Sequence, residues 1–140
     1  MLNVILYQPE IPPNTGNIIR LCANTGVKLH LIEPLGFKLD DAKLRRAGLD
    51  YHEFADVRVH SNIEACFSQL NRDRVFAFSR HASSPFNEVS FQEGDAFLFG
   101  SETKGLPNEL LTSLPVQCRL RLPMRADQRS LNLSNAVAVA

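Results

Sequence analysis

Residues 2–33, LNVILYQPEIPPNTGNIIRLCANTGVKLHLIE, decide the predicted fold. Leu2–Tyr7 is an apolar run of strand length, and Leu29–Glu33 is a second one. A helical pattern separates them, with only short joints on either side. A strand–helix–strand unit of this kind is typical of a parallel α/β sheet.

Proline, capping and glycine residues indicate the boundaries of the intervening helix. Pro12-Pro13 predict no regular structure before Asn14, and either Asn14 or Thr15 can act as the N-cap. The helix is predicted to run to about Asn24, with Gly26 as the glycine that ends it.

The same alternation continues to residue 122 and predicts one open parallel sheet with helices on both faces. Further strands are predicted at Arg74–Ser79, Ala96–Gly100 and Cys118–Leu122. Further helices are predicted at Asp40–Ala47, from the capping box Ser61–Glu64 to about Leu70, and from Pro107 to about Leu114.

Composition sets the class of protein. The 140 residues suffice for one domain, and 15 basic residues balance 15 acidic ones, so net charge alone forces no polyanion partner. Cys22, Cys66 and Cys118 lie far apart without a CxxC pair, which favours buried thiols in a reducing compartment. There is no signal-peptide pattern and no apolar run of about 20 residues. These features predict a cytoplasmic protein without a membrane partner.

Ligands of open α/β sheets bind at the carboxyl ends of strands, which selects the joints after Tyr7, Ser79, Phe99 and Leu122. In the helix after the first joint, Arg20 lies among apolar residues, so it favours a carboxylate or phosphate partner. A solvated surface arginine is the alternative.

The joint GSETKGLP, residues 100–107, resembles a phosphate loop but lacks the Lys-Ser/Thr pair after its second glycine. No GxGxxG is present either. Gly100 at the end of an apolar strand would let a flat ligand approach the backbone, with Glu102 and Lys104 at the lip of the sheet. A simple turn is the alternative.

Other polar groups carry weaker signals. The cluster KLRR, residues 43–46, is either a solvated helix end or an RNA footprint. The arginines of the last strand, Arg119 and Arg121, are expected on a solvated face, with an RNA contact as the alternative. None of the histidines has catalytic or metal-ligand spacing in the sequence.

Residues 122–140, LPMRADQRSLNLSNAVAVA, place four polar side chains at the entrance to a small-residue apolar run. Buried polar groups need partners, which here are either backbone or a ligand.

Three segments in order carry a family resemblance: NTGNIIR (14–20), FGSETKGLP (99–107), and LPM through SLNLSNA (122–136). They resemble the three motifs of the SPOUT-superfamily RNA methyltransferases. The run from Leu2 to Phe54 is similar to their small single-domain branch, which methylates the ribose 2′-hydroxyl of tRNA nucleotide 34.

The resemblance implies one domain over residues 1–140 with a deep C-terminal trefoil knot, working as a homodimer. It implies S-adenosylmethionine as cofactor and no metal. By position, the cofactor-binding residues would be Phe78, Gly100, Leu122 and Ser130. The family's chain normally continues beyond NLSNAVAVA, so the last helix is expected to be cut short at Ala140.

The resemblance also implies roles for polar residues. Arg20, Asn14, Glu102 and Asn132 would form the catalytic site. Arg20, Lys43, Arg45 and Arg46 would bind RNA.

Arginine stays protonated, so Arg20 would orient the 2′-hydroxyl and bind phosphate rather than act as a base. The substrate would be tRNA and not DNA, with leucine tRNAs expected and cytidine or modified uridine at position 34.

Two alternatives come from other classes of protein. One is a non-catalytic RNA-binding module with the same fold. The other is a small-molecule nucleotide-binding α/β protein, which the missing Walker and dinucleotide motifs disfavour.

Overall fold

The computed structural model describes residues 2–37, 57–79, 82, 84–85 and 89–121. Seven strands form one sheet in the order β3-β2-β1-β6-β4-β7-β5, and all pairings between these strands are parallel. The strands are β1 Asn3–Tyr7, β2 Lys28–Ile32, β3 Val57–His60, β4 Val75–Phe78, β5 Ser84–Pro85, β6 Ala96–Phe99 and β7 Arg119–Arg121. The predicted open parallel α/β sheet is confirmed.

Helices flank the sheet. The α-helices among the described residues are α1 Pro12–Thr25, α2 Ile63–Phe67 and α3 Asn108–Thr112, with 3-10 turns at Arg72–Arg74 and Val116–Cys118. Helix α1 packs with Ile18, Ile19 and Cys22 on one face of the sheet, whereas α2 and α3 pack on the other. Helices on both faces are therefore confirmed.

The strand sequences explain how both faces are buried. Within β6, Phe97 and Phe99 join the core beneath α1, while Ala96 and Leu98 join the opposite core. Successive side chains of a strand point to opposite faces, so a continuous apolar run can bury both.

The predicted start of α1 is wrong. The helix begins at Pro12, and Ile11 occupies the N-cap position. Proline suits the first helical turn because its missing N–H would have no partner there and its φ is already helical. Asn14 and Thr15 therefore lie inside the helix. The predicted end is confirmed, since Gly26 has φ 74° and donates its N–H to the carbonyl of Cys22.

Further differences from the prediction concern two strands and the boundaries of α2. Strands β3 and β5 were not predicted, because they are only four and two residues long and neither is a continuous apolar run. The N-cap of α2 is Asn62 rather than Ser61, and its Oδ1 accepts from the Ala65 N–H at 2.8 Å. That helix also ends at Phe67 instead of Leu70. The predicted helix Asp40–Ala47 and the stretch 122–140, including the expected knot, lie outside the described residues.

The strand order determines which joints meet. The end of β1 lies between the ends of β2 and β6, and β4 follows β6. The joints after Tyr7 and Phe99 are therefore neighbours. Of the helices in the described ranges, none combines the length and the apolar character needed to cross a bilayer.

Candidate active site

Glu102 binds the joint between β1 and α1. Its carboxylate oxygens accept the backbone N–H of Glu10 at 3.1 and 3.2 Å, and one of them also accepts the N–H of Ile11. These N–H groups immediately precede α1, whose N-cap residue offers no side-chain cap. A carboxylate at this end of a helix is favoured by the helix dipole. Glu102 thus fixes where α1 begins relative to the end of β6.

Glu10 makes the reciprocal contact. Its carboxylate accepts the Thr103 hydroxyl at 2.7 and 2.9 Å and the Thr103 N–H at 3.3 Å. The hydrogen bond from this hydroxyl, more than any other contact, lowers the pKa of Glu10 below its usual value. The two joints are therefore connected at two points, one through each glutamate.

Gly100 permits the loop after β6 to fold back on itself. Ser101 and Gly105 form an antiparallel bridge, and Gly105 has φ 66°. A Cβ on Gly100 would lie 2.2 Å from the Gly105 carbonyl carbon and 2.4 Å from the Leu106 nitrogen. The close approach that requires glycine is thus made by the loop's own backbone, whereas the sequence suggested a ligand.

Phe78 lies at the end of β4, in register with Phe99 of β6. Their rings stack with centroids 5.0 Å apart and planes inclined by 6°, and Phe78 also meets Phe97 edge-on at 5.8 Å. The Phe78 ring is therefore part of the core. The structure does bring Phe78 and Gly100 to adjacent strand ends, as the assignment of both to one site requires.

Helix α1 carries the remaining described candidates. Asn14 is 7% exposed and Thr15 is fully buried, and the Thr15 hydroxyl has no hydrogen-bond partner among the residues the structure describes. Arg20 is half-buried, on the opposite side of the helix from Ile18 and Ile19. The start of α1 thus places buried polar groups next to the joint that Glu102 holds.

Several predicted residues cannot be placed. Leu122, Ser130, Asn132, Lys43, Arg45 and Arg46 lie outside the described residues. Among the basic residues that are described, Lys104 and Arg121 are exposed near the same edge of the sheet.

A buried histidine pair on β2 and β3 was not predicted from the sequence. His30 Nδ1 and His60 Nε2 are 2.9 Å apart, and His30 Nε2 is 3.0 Å from Asn3 Oδ1. Burial, with help from His60 and nearby cations, lowers the pKa of His30 to about 4, and burial also lowers the pKa of His60. Both imidazoles are therefore neutral at pH 7.

The Cys66 sulfur lies within 4.8 Å of the ligand nitrogens of this pair. Two imidazole nitrogens on one tetrahedral zinc ion would be about 3.3 Å apart, given Zn–N bonds of about 2.05 Å. The observed 2.9 Å is a hydrogen-bond distance. The geometry therefore favours a hydrogen-bonded chain from Asn3 through His30 to His60 over a zinc site.

The predicted buried thiols are confirmed for all three cysteines.

A family model described as the SpoU rRNA Methylase family matches residues 1–140. The chain belongs to this family. The expected relationship to the SPOUT-superfamily RNA methyltransferases is thereby confirmed.

Three individual proteins that are similar to this chain are named or described for RNA methylation. A tRNA (cytidine(34)-2′-O)-methyltransferase from Burkholderia cenocepacia is 62% identical over 141 residues, covering 99% of this chain and 90% of that protein. A solved structure described as concerning 2-OH methylation of C/U34 on tRNA is 50% identical with a TM-score of 0.90, covering 99% and 90%. An AdoMet-bound rRNA methyltransferase from Sinorhizobium meliloti is 25% identical with a TM-score of 0.82, covering 99% and 53%.

Proposed function

We propose that this SpoU-family chain methylates the ribose 2′-hydroxyl of nucleotide 34 of tRNA, with S-adenosylmethionine as methyl donor. The observation that carries the proposal is 62% identity over 99% of the chain to a protein with that named activity. The described fold and the linked joints at the carboxyl edge of the sheet agree with it.

The described residues suit this cofactor. Phe78 and Gly100 lie at adjacent strand ends, and the loop that begins at Gly100 folds back on itself. This loop has Leu106-Pro107 where a phosphate loop has its Lys-Ser/Thr pair, which fits a donor that carries no phosphate. When bound, S-adenosylmethionine supplies a methyl group already activated on a sulfonium. Phe78 and Gly100, with Leu122 and Ser130, would hold it, and the reaction needs no metal ion.

The chain's own groups would orient the nucleophile. Arg20 binds the RNA phosphate and positions the 2′-hydroxyl, while a phosphate oxygen accepts the proton, because a guanidinium is not a base at neutral pH. Asn14 holds the start of α1, and Glu102 and Asn132 fix the site around it. Correct alignment of reacting atoms can contribute several orders of magnitude to the rate.

The wider assignments complete the proposal. The chain forms one domain with a knotted C-terminal part and works as a homodimer in the cytoplasm. Lys43, Arg45 and Arg46 join Arg20 in binding RNA. Leucine tRNAs with cytidine or modified uridine at position 34 are the proposed substrates.

The experiment compares wild type, Arg20→Ala and the exposed control Arg72→Ala. Calorimetry measures S-adenosylmethionine binding, and transfer of labelled methyl to bulk tRNA measures activity. We expect Arg20→Ala to keep cofactor binding but to lose at least 100-fold in transfer rate, with Arg72→Ala unchanged. A methyl-transfer rate of Arg20→Ala close to that of wild type would contradict the proposed role of Arg20. Binding of S-adenosylmethionine by wild type without any methyl transfer would instead support the RNA-binding module.

A further inference from the structure

Glu10 lies where three joints of the sheet meet, although the sequence patterns did not single it out. Its N–H is bound by Glu102 from the loop after β6. From the loop after β2, Gly36 donates its N–H to the neighbouring Pro9 carbonyl at 2.9 Å. A Cβ on Gly36 would lie 2.8 Å from the Glu10 Cα, so this loop touches the Glu10 backbone directly.

The side chain of Glu10 adds a second connection in the opposite direction. Its carboxylate accepts both the hydroxyl and the N–H of Thr103, which directly follows Glu102. A single hydrogen-bonded contact lets two loops pivot about it, whereas two contacts of opposite direction remove that freedom. The Glu10–Thr103 contact therefore fixes the angle between the loop that leads into α1 and the loop that begins at Gly100.

This contact contributes little to the core. Thr103 is exposed and Glu10 is half-buried, so loss of either side chain leaves no polar group stranded in an apolar interior. Its consequence is geometric instead. Arg20 follows on α1, and Gly100 begins the other loop, so the contact sets the angle between the two elements that carry these residues.

We propose that Glu10 is a positioning residue for methyl transfer, acting through Thr103 to set the angle between α1, which carries Arg20, and the loop that begins at Gly100. The inference rests on the proposed function. Reacting groups displaced by about 1 Å can lose about 100-fold in rate. The effect belongs in kcat, because neither side chain is assigned to cofactor or RNA binding.

The test measures methyl transfer by Glu10→Ala, Thr103→Val, Thr103→Ser and the double variant Glu10→Ala/Thr103→Val, with exposed Glu64→Ala as control. We expect kcat to fall about 10- to 100-fold in Glu10→Ala and in Thr103→Val. KM for tRNA and the Kd for S-adenosylmethionine should stay within about threefold. Thr103→Ser keeps the hydroxyl and should stay within about threefold of wild type, like Glu64→Ala.

The double variant separates coupling from independent damage. If Glu10 acts through Thr103, the double variant is no slower than Glu10→Ala alone, since partners in one interaction are non-additive. Three results would overturn the inference. The kcat losses of the two single variants could multiply in the double variant, or Thr103→Ser could lose as much kcat as Thr103→Val. The third is a kcat of Glu10→Ala within twofold of wild type. If Glu10→Ala does not fold, Thr103→Val against Thr103→Ser still decides. An inactive wild type would refute the proposed function itself, and the inference with it.

Discussion

Acidification should destabilise this protein through the buried histidine pair. His30 is 1% exposed and its ring nitrogens contact His60 and Asn3. Protonation would place a charge in this interior and put two donors on a ring that needs an acceptor at Nδ1. The neighbours that face the pair, Lys28 and Arg58, are cationic and offer that charge no compensation.

The magnitude follows from proton linkage. The pKa of His30 is lowered from 6.5 to about 4 in the folded protein. The unfolded chain therefore takes up a proton as pH falls below about 6.5, while the folded chain does not until about pH 4. The stabilisation is present above pH 6.5 and is lost on acidification. It amounts to about 2 kcal/mol between pH 7 and pH 5 and about 3 kcal/mol by pH 4.

The assay is urea unfolding of wild type, His30→Gln and the control Glu64→Gln at pH 7, 6 and 5. Carboxylates with a lowered pKa, such as that of Asp95, also contribute to the loss of stability in acid. The informative quantity is therefore the difference in unfolding free energy between wild type and His30→Gln at each pH. Wild type should lose about 2 kcal/mol more than His30→Gln between pH 7 and pH 5, and Glu64→Gln should follow wild type. Equal losses in wild type and His30→Gln would refute the buried-neutral pair.

Two further substitutions test particular contacts. Gly100→Ala places a methyl group against loop backbone and should weaken S-adenosylmethionine binding at least 10-fold, measured by calorimetry. The control is Gly26→Ala, whose added methyl group meets open space and only strains a φ of 74°. It should lower the unfolding free energy by about 1 kcal/mol without affecting cofactor binding. Equal affinities would contradict the crowding argument. Asp95→Asn disrupts a buried carboxylate that accepts from Arg74 at 2.7 and 2.8 Å and from the Gln92 N–H at 2.7 Å, and should lower the unfolding free energy by about 2 kcal/mol in urea. A loss below about 0.5 kcal/mol would count against it.

Local patterns predicted the sheet well because its central strands are apolar on both faces. Strand β3 escaped prediction because it lies at the sheet edge with Arg58 and Val59 exposed. An edge strand needs only one buried face, so its sequence signal is weak. The start of α1 at Pro12 could have been predicted, since proline is favoured in the first helical turn.

The contacts within the site could not be predicted from sequence spacing. Glu10 and Glu102 are 92 residues apart, and only the parallel order β1 beside β6 brings their loops together. His30 and His60 are 30 residues apart and meet because β2 pairs with β3. The family motifs include Glu102 and Gly100 as candidate site residues but not Glu10, whose proposed role depends on a reciprocal contact between two loops.

The proposed methyl acceptor is the ribose of tRNA nucleotide 34, so the position of the transferred methyl group can be mapped directly. Wild type and Arg20→Ala are incubated with S-adenosylmethionine and unmodified leucine tRNA, and the nuclease-digested products are mapped by mass spectrometry. We expect wild type to place one methyl group on the ribose of nucleotide 34, and Arg20→Ala to do so at no more than about a hundredth of the wild-type rate. A methyl group on a base, or on the ribose of another nucleotide, would contradict it.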